Sequence, residues 1–178
     1  MFCVYKRDLI TQKMEKHAID VATDYKEGAY QYTDGNYYYV TDGHRVIQLP
    51  AQVDRLRVNA HDTTMINGIK KFIDTTFSRE YDYTIHELPT LAELRKGVLK
   101  TVGRRLNRVV WSDGVITFNA RYLIKAMDAL NAKVCYVAKT DTRTMPIQLF
   151  QQNDLQSETI ELILPIYNPD KRTGFWEC

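Results

Sequence analysis

Residues 38–46 of the chain read YYVTDGHRV, an aromatic and β-branched run that stops at an Asp-Gly pair and resumes as His-Arg-Val. Asp-Gly pairs between runs of this kind are typical of strands joined by tight turns. A second pair, Asp34-Gly35, stands shortly before the first. We therefore predict at least two antiparallel strands between residues 29 and 50, and expect three.

A helix is predicted on the N-terminal side of these strands. Residues 5–19 carry apolar side chains close to helical spacing, with lysine and arginine among the polar positions. This spacing is typical of an amphipathic helix that buries one face.

A helix followed by antiparallel strands is also predicted towards the C-terminus, where two further strands precede the helix. Two short strands are predicted at 109–111 and 115–118, joined by a Ser-Asp-Gly turn. Asn119 stands where its side chain can cap a helix that runs to about residue 131. Further strands are predicted at 134–138, 147–150 and 159–166. The chain thus holds two helix-then-strands units, although it shows no literal sequence repeat.

The middle of the chain is less regular. Residues 51–80 leave two interpretations open, a strand around 53–58 and a helix over 65–73. Residues 89–106 predict a helix that begins at Pro89 and Thr90. Gly97 and Gly103 lower its helix propensity. Its apolar stripe consists of Leu91, Leu94, Val98, Leu99 and Val102.

Composition places the chain among ordinary globular domains. It has 178 residues, 44% hydrophobic and 26% charged. Cys3, Cys135 and Cys178 are too widely spread for a disulfide framework or a zinc cage. No apolar run approaches the roughly 18 residues of a membrane span, and the first residues lack the order of a signal peptide. We expect a cytoplasmic protein without membrane contact, metal or cofactor.

Positive charge is concentrated in one segment. Eight cations and a single acid, Asp113, lie between Arg95 and Lys125, a local excess of +7 in a chain whose net charge is +2. A concentrated basic segment is typical of phosphate binding. A solvated helix face is the other interpretation of the same charges.

Three segments, in this order, resemble the bacterial DNA polymerase sliding clamp. Residues 38–46 are similar to the clamp's Thr-Asp-Gly-His-Arg strand-turn-strand. Residues 118–130 resemble its last helix, where Phe-Asn precedes a Tyr-Leu-rich turn. Residues 163–166, Ile-Leu-Pro-Ile, resemble the strand that closes its C-terminus. Each motif is common by itself, so their order carries the resemblance, and residues 51–110 match no assigned part of the family.

The resemblance implies an α+β, DNA-clamp-like fold with two helix-plus-antiparallel-strands halves related by a pseudo-two-fold. We expect one clamp-like domain over residues 1–178. Its parts are a first half at about 1–50, a partly helical middle at 51–110, a second half at about 111–167 and a C-terminal tail at 168–178. Clamps build a closed ring from six such domains, and this chain has room for about one. If this chain forms a ring, several copies of it are therefore expected to associate into a homo-oligomer.

The resemblance also implies binding of duplex DNA without sequence preference, which requires cations that face phosphates. Four of the expected cations lie on the two helices that would line the DNA: Lys6, Lys13, Arg121 and Lys125. The others belong to the basic segment: Arg95, Lys96, Lys100, Arg104, Arg105 and Arg108. Arg104, Arg105 and Arg108 have no counterpart in clamps.

Clamps capture short linear motifs of a DNA polymerase or other replication protein in an apolar pocket with a polar edge. Matched to this sequence, the pocket residues are Thr41, Gly43, His44, Arg45, Val46, Asn119, Tyr122, Ile163, Leu164, Pro165 and Ile166, with Pro146 as an addition. In clamps these elements come from adjacent domains. We therefore expect the pocket to form between two copies of this chain. The tail after residue 168 either covers the pocket, contacts a neighbour or stays without structure.

Three functions are compared on this basis. The first is a clamp-like scaffold for DNA and replication partners, of a reduced kind expected in phages or mobile elements. The second is a clamp-fold interaction module that forms no ring. The third is a small metal-dependent nuclease that uses His61 and Asp62. Such metal sites need further His and Asp ligands, which the sequence does not offer at suitable positions. We expect no enzymatic activity.

Overall fold

The computed structural model describes residues 11–24, 29–76, 82–104, 108–139 and 145–177. The helices in that part of the chain are α1 (Gln12–Asp24), α2 (Thr63–Thr76), α3 (Leu91–Val102) and α4 (Ala120–Leu130). The strands are β1 (Tyr30–Thr33), β2 (Tyr38–Thr41), β3 (Arg45–Leu49), β4 (Arg57–Asn59), β5 (Tyr83–Glu87), β6 (Val109–Ser112), β7 (Thr117–Asn119), β8 (Val134–Ala138), β9 (Ile147–Phe150), β10 (Ile160–Ile163) and β11 (Gly174–Glu177).

Eight of these strands form one sheet in the order β4-β1-β2-β3-β10-β9-β8-β5, and β11-β6-β7 form a second. The central neighbours, β3 and β10, run antiparallel and place Ile163 opposite Arg45. On either side of this pair lie α1-β1-β2-β3 and α4-β8-β9-β10. The α+β class and the two helix-then-strands halves predicted from the sequence are confirmed.

The two faces of the sheet are covered by different helices. Ile47, Leu49 and Ile163 belong to the main core beneath α1, α3 and α4. Alternate side chains point to the other face, where Val46 packs with Ile69 of α2. Burying each such side chain contributes about 1.5–3 kcal/mol. The helix α2 resolves the two interpretations of residues 51–80, because strand β4 and a helix follow one another there.

One buried polar contact fastens α1 to the centre of the sheet. His17 Nε2 lies 2.8 Å from Glu161 Oε2 of β10, and both side chains are buried. Glu161 stands opposite Ile47 of β3, so the contact lies at the β3–β10 pair. Removing one partner of such a buried hydrogen bond typically costs about 1–3 kcal/mol, because the other group is left unsatisfied.

The helix predictions differ from the structure at their ends. The described part of α1 runs to Asp24, beyond the expected residue 19, and residues 5–10 lie outside the described chain. Thr90 and Glu93 form a capping box at the start of α3, while Gly103, with φ of 60°, ends it before residue 106. Leu99 was predicted in the buried stripe of α3, but it is 59% exposed, so that assignment was wrong.

Three turns share one hydrogen-bond pattern. Each is a Ser or Thr followed by Asp-Gly, in which the glycine has φ between 84° and 93°. In every case one carboxylate oxygen of the aspartate accepts from the backbone amides two and three residues later. The three aspartates are Asp34, Asp42 and Asp113. Glycine is required because other residues rarely adopt that φ.

The C-terminal tail is ordered up to residue 177. Residues 174–177 form β11, which pairs with β6 in antiparallel register. The alternative of a tail without structure was therefore wrong. Two strand ends also differ from prediction, since β10 stops at Ile163 and β7 begins at Thr117.

The charge of Asp34 generates a prediction about acid stability. Burial would raise the pKa of this carboxyl, but the amides of Tyr37 and Asn36, with Lys70 and Tyr39, lower it from 3.8 to about 2. A carboxyl whose pKa is lower in the folded state stabilises the fold above the unfolded value. That contribution is lost as the pH falls towards the folded value.

We expect Asp34→Asn, which keeps an acceptor for the turn, to lower the free energy of unfolding at pH 7 by about 1 kcal/mol. The difference from the unchanged chain should shrink between about pH 4 and pH 2. Urea denaturation at pH 7 and pH 3 measures both effects. The exposed Asp54, changed to Asn, is the control. A difference independent of pH would contradict the assigned role.

Candidate functional site: a basic helical face and an apolar pocket

The outer surfaces of α1, α4 and α3 form one continuous face, which we call the helical face. Asp128 of α4 lies between the other two helices, with Lys13 Nζ at 3.1 Å and Arg95 Nη2 at 3.8 Å. Lys125 Nζ lies 4.0 Å from Asp20 Oδ2 of α1. These pairs are half exposed and contribute little energy, but they show that the three outer surfaces adjoin.

The cations predicted for DNA binding lie unevenly on this face. Arg95, Lys96 and Lys100 are exposed on α3, and Arg104 follows that helix. Arg121 and Lys125 lie on α4, and the exposed Arg108 precedes β6. Lys6 and Arg105 lie outside the described residues.

The described residues of α1 contribute little to this charge. Its described residues contain two lysines and three acids, and Lys13 is paired with Asp128. Positive charge is therefore concentrated at α3 and α4.

A groove of about 330 Å³ runs between α3 and α4. Its described lining contains three cations and no carboxylate: Arg95, Val98, Leu99, Gly103, Arg121, Ile124 and Lys125. Leu99, exposed against expectation, forms part of its apolar floor. The groove combines an apolar base with a basic edge, an arrangement suited to the sugar-phosphate backbone of a nucleic acid.

The turn at residues 41–45 is held by its own side chains. Thr41 Oγ1 donates to the Arg45 carbonyl at 2.7 Å and accepts from the Gly43 amide at 3.1 Å. Asp42 Oδ1 accepts from the amides of His44 and Arg45, and its Oδ2 accepts from Arg45 Nε at 2.7 Å. Thr41, Asp42 and Arg45 therefore fix the shape of the turn.

Arg45 also connects this turn to the helices. Its buried guanidinium donates from Nη2 to Asp24 at 3.1 Å and stacks 4.0 Å from the centre of the Tyr122 ring. Burial raises the pKa of the Tyr122 hydroxyl, and nearby Asp42 raises it further. Both side chains lie on the α1–α4 side of the sheet, where they join the first half of the chain to α4.

An apolar pocket of about 380 Å³ lies beside the same turn, between the sheet and α2. Five predicted pocket residues line it: Gly43, His44, Arg45, Val46 and Leu164. Its other wall comes from the segment that leads into α2 and from α2 itself: Asp62, Thr64, Met65, Gly68, Ile69 and Phe72. The helical spacing of Met65, Ile69 and Phe72 was visible in the sequence, but nothing local indicated which sheet face they would cover.

The remaining predicted pocket residues lie elsewhere. Thr41 is buried beneath the turn, and Asn119 caps α4 by accepting from the Arg121 amide at 3.0 Å. Tyr122 contacts Arg45 on the helical side. The other four occupy the core or other surfaces: Pro146 is buried before β9, Ile163 is in the main core, and Pro165 and Ile166 are half-buried beyond β10.

The expectation that the turn and the C-terminal strand meet only between two copies was wrong. Within one chain, β3 pairs with β10, and the Leu164 amide donates to the His44 carbonyl at 2.9 Å. The reason is the register of that strand pair, which no local sequence signal reveals.

The described residues give little support to a metal or cysteine site. Asp62 Oδ1 accepts from the Met65 amide at 2.9 Å and so caps α2, while His61 is exposed. Where the chain is described, no three His, Cys, Asp or Glu side chains are grouped to hold a metal ion. Burial raises the pKa of the Cys135 thiol to about 12, and nearby Asp113 raises it further. No described helix is long and apolar enough to span a membrane.

No family model and no curated protein match this sequence. Among solved structures, it is similar to a putative DNA polymerase III beta subunit from Eubacterium rectale. That match has a TM-score of 0.51 and 14% identity, and covers 86% of this chain and 62% of the other.

Beta subunits from Streptococcus pyogenes and Caulobacter crescentus match at 15% and 11% identity, with TM-scores of 0.45 and 0.42. The match covers 88% of this chain and 64% of the former, and 89% of this chain and 65% of the latter. The chain spans less than two thirds of each of these proteins.

Proposed function

We propose that this chain, which has the fold of the DNA polymerase III beta subunit, is a non-catalytic scaffold that holds duplex DNA and tethers a replication protein. The groove between α3 and α4 carries the proposal, because its described lining brings Arg95, Arg121 and Lys125 together without a carboxylate. Cations in this arrangement attract phosphates of any sequence.

The geometry of the helical face favours binding without base recognition. Its cations stand on the outer surfaces of packed helices, and Lys96 and Lys100 are exposed to solvent on α3. Phosphate contacts of this kind position DNA and carry no sequence information directly. A scaffold that must move along DNA requires this property.

The apolar pocket supplies the second half of the proposal. It lies on the α2 side of the sheet, whereas the helical face lies on the other side. A short segment of a DNA polymerase or other replication protein would place apolar side chains against Met65, Ile69 and Phe72. His44 and Asp62 supply the polar edge that orients such a peptide. Both ligands then bind at once, which is the requirement for tethering.

Encirclement of DNA requires more than one copy of the chain. The described sheet ends at β4 and β5, each of which has one neighbouring strand in it. Strands of this kind present unpaired backbone groups that pair with another chain. A ring in which several copies of the chain pair through these edge strands is the first candidate assembly. The second is an interaction module without a ring, which needs the apolar pocket but no contact between copies of the chain.

We expect the triple change Arg95→Gln, Arg121→Gln and Lys125→Gln to weaken duplex binding strongly at low salt. Since about 0.9 of the logarithmic salt slope is lost for each phosphate contact removed, the slope should fall by about 2–3. Fluorescence anisotropy with a labelled duplex at several salt concentrations measures this.

The matched control is Arg55→Gln, Arg57→Gln and Lys71→Gln, an equal loss of exposed charge away from the helical face. It should bind nearly as the unchanged chain does. Equal weakening by both triple variants would show that only net charge matters. Magnesium-dependent cleavage of the duplex would support the nuclease instead.

The pocket is tested by filling it. A Cβ at Gly68 meets no atom within 4 Å, so Gly68→Trp places its ring at the pocket wall without a clash at the backbone. We expect at least about ten-fold weaker binding of a peptide from the clamp-binding segment of a bacterial replicative polymerase, equivalent to about 1.4 kcal/mol. Calorimetry measures it.

Gly68→Ala is the control for this change, since alanine strengthens a helix interior without filling the pocket. It should bind the peptide as the unchanged chain does. Undiminished peptide binding by Gly68→Trp would place the partner site elsewhere.

Solution mass separates the two candidate functions. A ring predicts an assembly of several copies at micromolar concentration, measured by light scattering during size-exclusion chromatography. A mass of about 20.8 kDa, that of one chain, would reject the ring and favour the interaction module.

A further inference from the structure

The C-terminal strand β11 is an edge strand of the second sheet and contacts the basic helix α3. It pairs with β6 along its whole length, with Phe175 opposite Trp111. It also contacts α3. The strand therefore joins α3 to the second sheet.

The contact with α3 depends on a glycine. A Cβ added at Gly97 would collide with the ring of Phe175. The ring thus occupies the space that any other residue at position 97 would fill. This explains a helix-weakening glycine in the middle of α3, because the ring needs direct access to the helix backbone.

The segment before β11, residues 168–172, forms a turn that is held by the side chain of Asn168. Asn168 Nδ2 donates to Thr117 Oγ1 at 3.1 Å and to the Arg172 carbonyl at 2.9 Å. Asn168 Oδ1 accepts from the Arg172 amide at 3.0 Å. The Arg172 guanidinium stacks 4.9 Å from the centre of the Trp176 ring. These contacts bring Phe175 to Gly97 in a fixed register.

The rest of α3 is attached by one buried stripe. Leu94, Val98 and Val102 pack into the main core, while Leu99 and the cations of α3 are exposed. Packing along a single stripe resists rotation and sliding of a helix less than packing on two sides does. The contact between Phe175 and Gly97 restricts this movement on a second side.

We propose that Phe175 is a positioning residue for DNA binding, which acts by fixing α3 so that its cations face the duplex together with those of α4. The proposal rests on the proposed function and adds that the C-terminal strand is required for it. Phe175 itself does not contact DNA.

The test compares the full-length chain with Phe175→Ala and with Gly97→Ala. Both changes separate the strand from α3, the first by removing the ring and the second by displacing it. Alanine ordinarily strengthens a helix interior, so loss of order in α3 of the second variant would come from the displaced strand. Leu155→Ala, which removes an equally apolar but exposed side chain, is the control.

Hydrogen exchange of residues 91–102 and 120–130 is measured first. We expect at least ten-fold faster exchange in α3 of both variants, with exchange in α4 nearly unchanged and a melting temperature lowered by only a few degrees. Duplex binding is measured next. Its logarithmic salt slope should fall by about 0.9 for each cation of α3 that no longer contacts a phosphate. Leu155→Ala should change neither.

The two hypotheses fail in different ways. Unchanged exchange in α3 of both variants, or an unchanged salt slope despite faster exchange, would overturn the role of Phe175. If the unchanged chain does not bind duplex, the proposed function and the role of Phe175 in it are both rejected. Faster exchange in α3 would then show only that the strand supports the helix.

Discussion

The antiparallel pairing of β3 with β10 is the interaction on which the rest of the structure depends. It joins strands that lie more than one hundred residues apart and merges two small sheets into one. It brings the turn at residues 41–45 against Leu164, and it gives His17 of α1 a buried partner in Glu161. If this pair were absent, each half would expose an unpaired strand edge over an open core.

The same pairing assigns the two candidate surfaces to opposite sides of the sheet. Successive residues of a strand alternate in direction, so Arg45 points to the helices while Val46 points to α2. A slip of one residue would exchange these directions and place a guanidinium beneath the pocket. The register therefore has to be specified strongly. The bonds that Arg45 donates to Asp42 and Asp24 contribute to that specification.

The sequence was most informative where the determinants are local. Asp-Gly turns need only neighbouring residues, and Asn119 caps its helix with its own side chain, so the strands around residues 30–49 and the start of α4 were predictable. The wall that α2 contributes to the pocket was missed, because its position depends on packing across the sheet. The exposure of Leu99 and the pairing of β11 with β6 were missed for the same reason. Five residues of the predicted pocket could thus be identified from the sequence, while the α2 wall and the separation of the other predicted residues from the pocket could not.

The three Ser/Thr-Asp-Gly turns illustrate how a local signal contributes to assembly. In each, one carboxylate oxygen closes the turn, and the second takes a different partner: Lys70 of α2, Arg45 in the turn itself, or His86 of β5. The first oxygen needs no tertiary structure, so the hairpins can form early. The second oxygens of Asp34 and Asp113 find their partners only where α2 and β5 have been brought into place. At Asp34 and Asp113 the formation of a turn is therefore coupled to the arrival of a separate element, whereas the turn of Asp42 is coupled to Asp24 of α1 through Arg45.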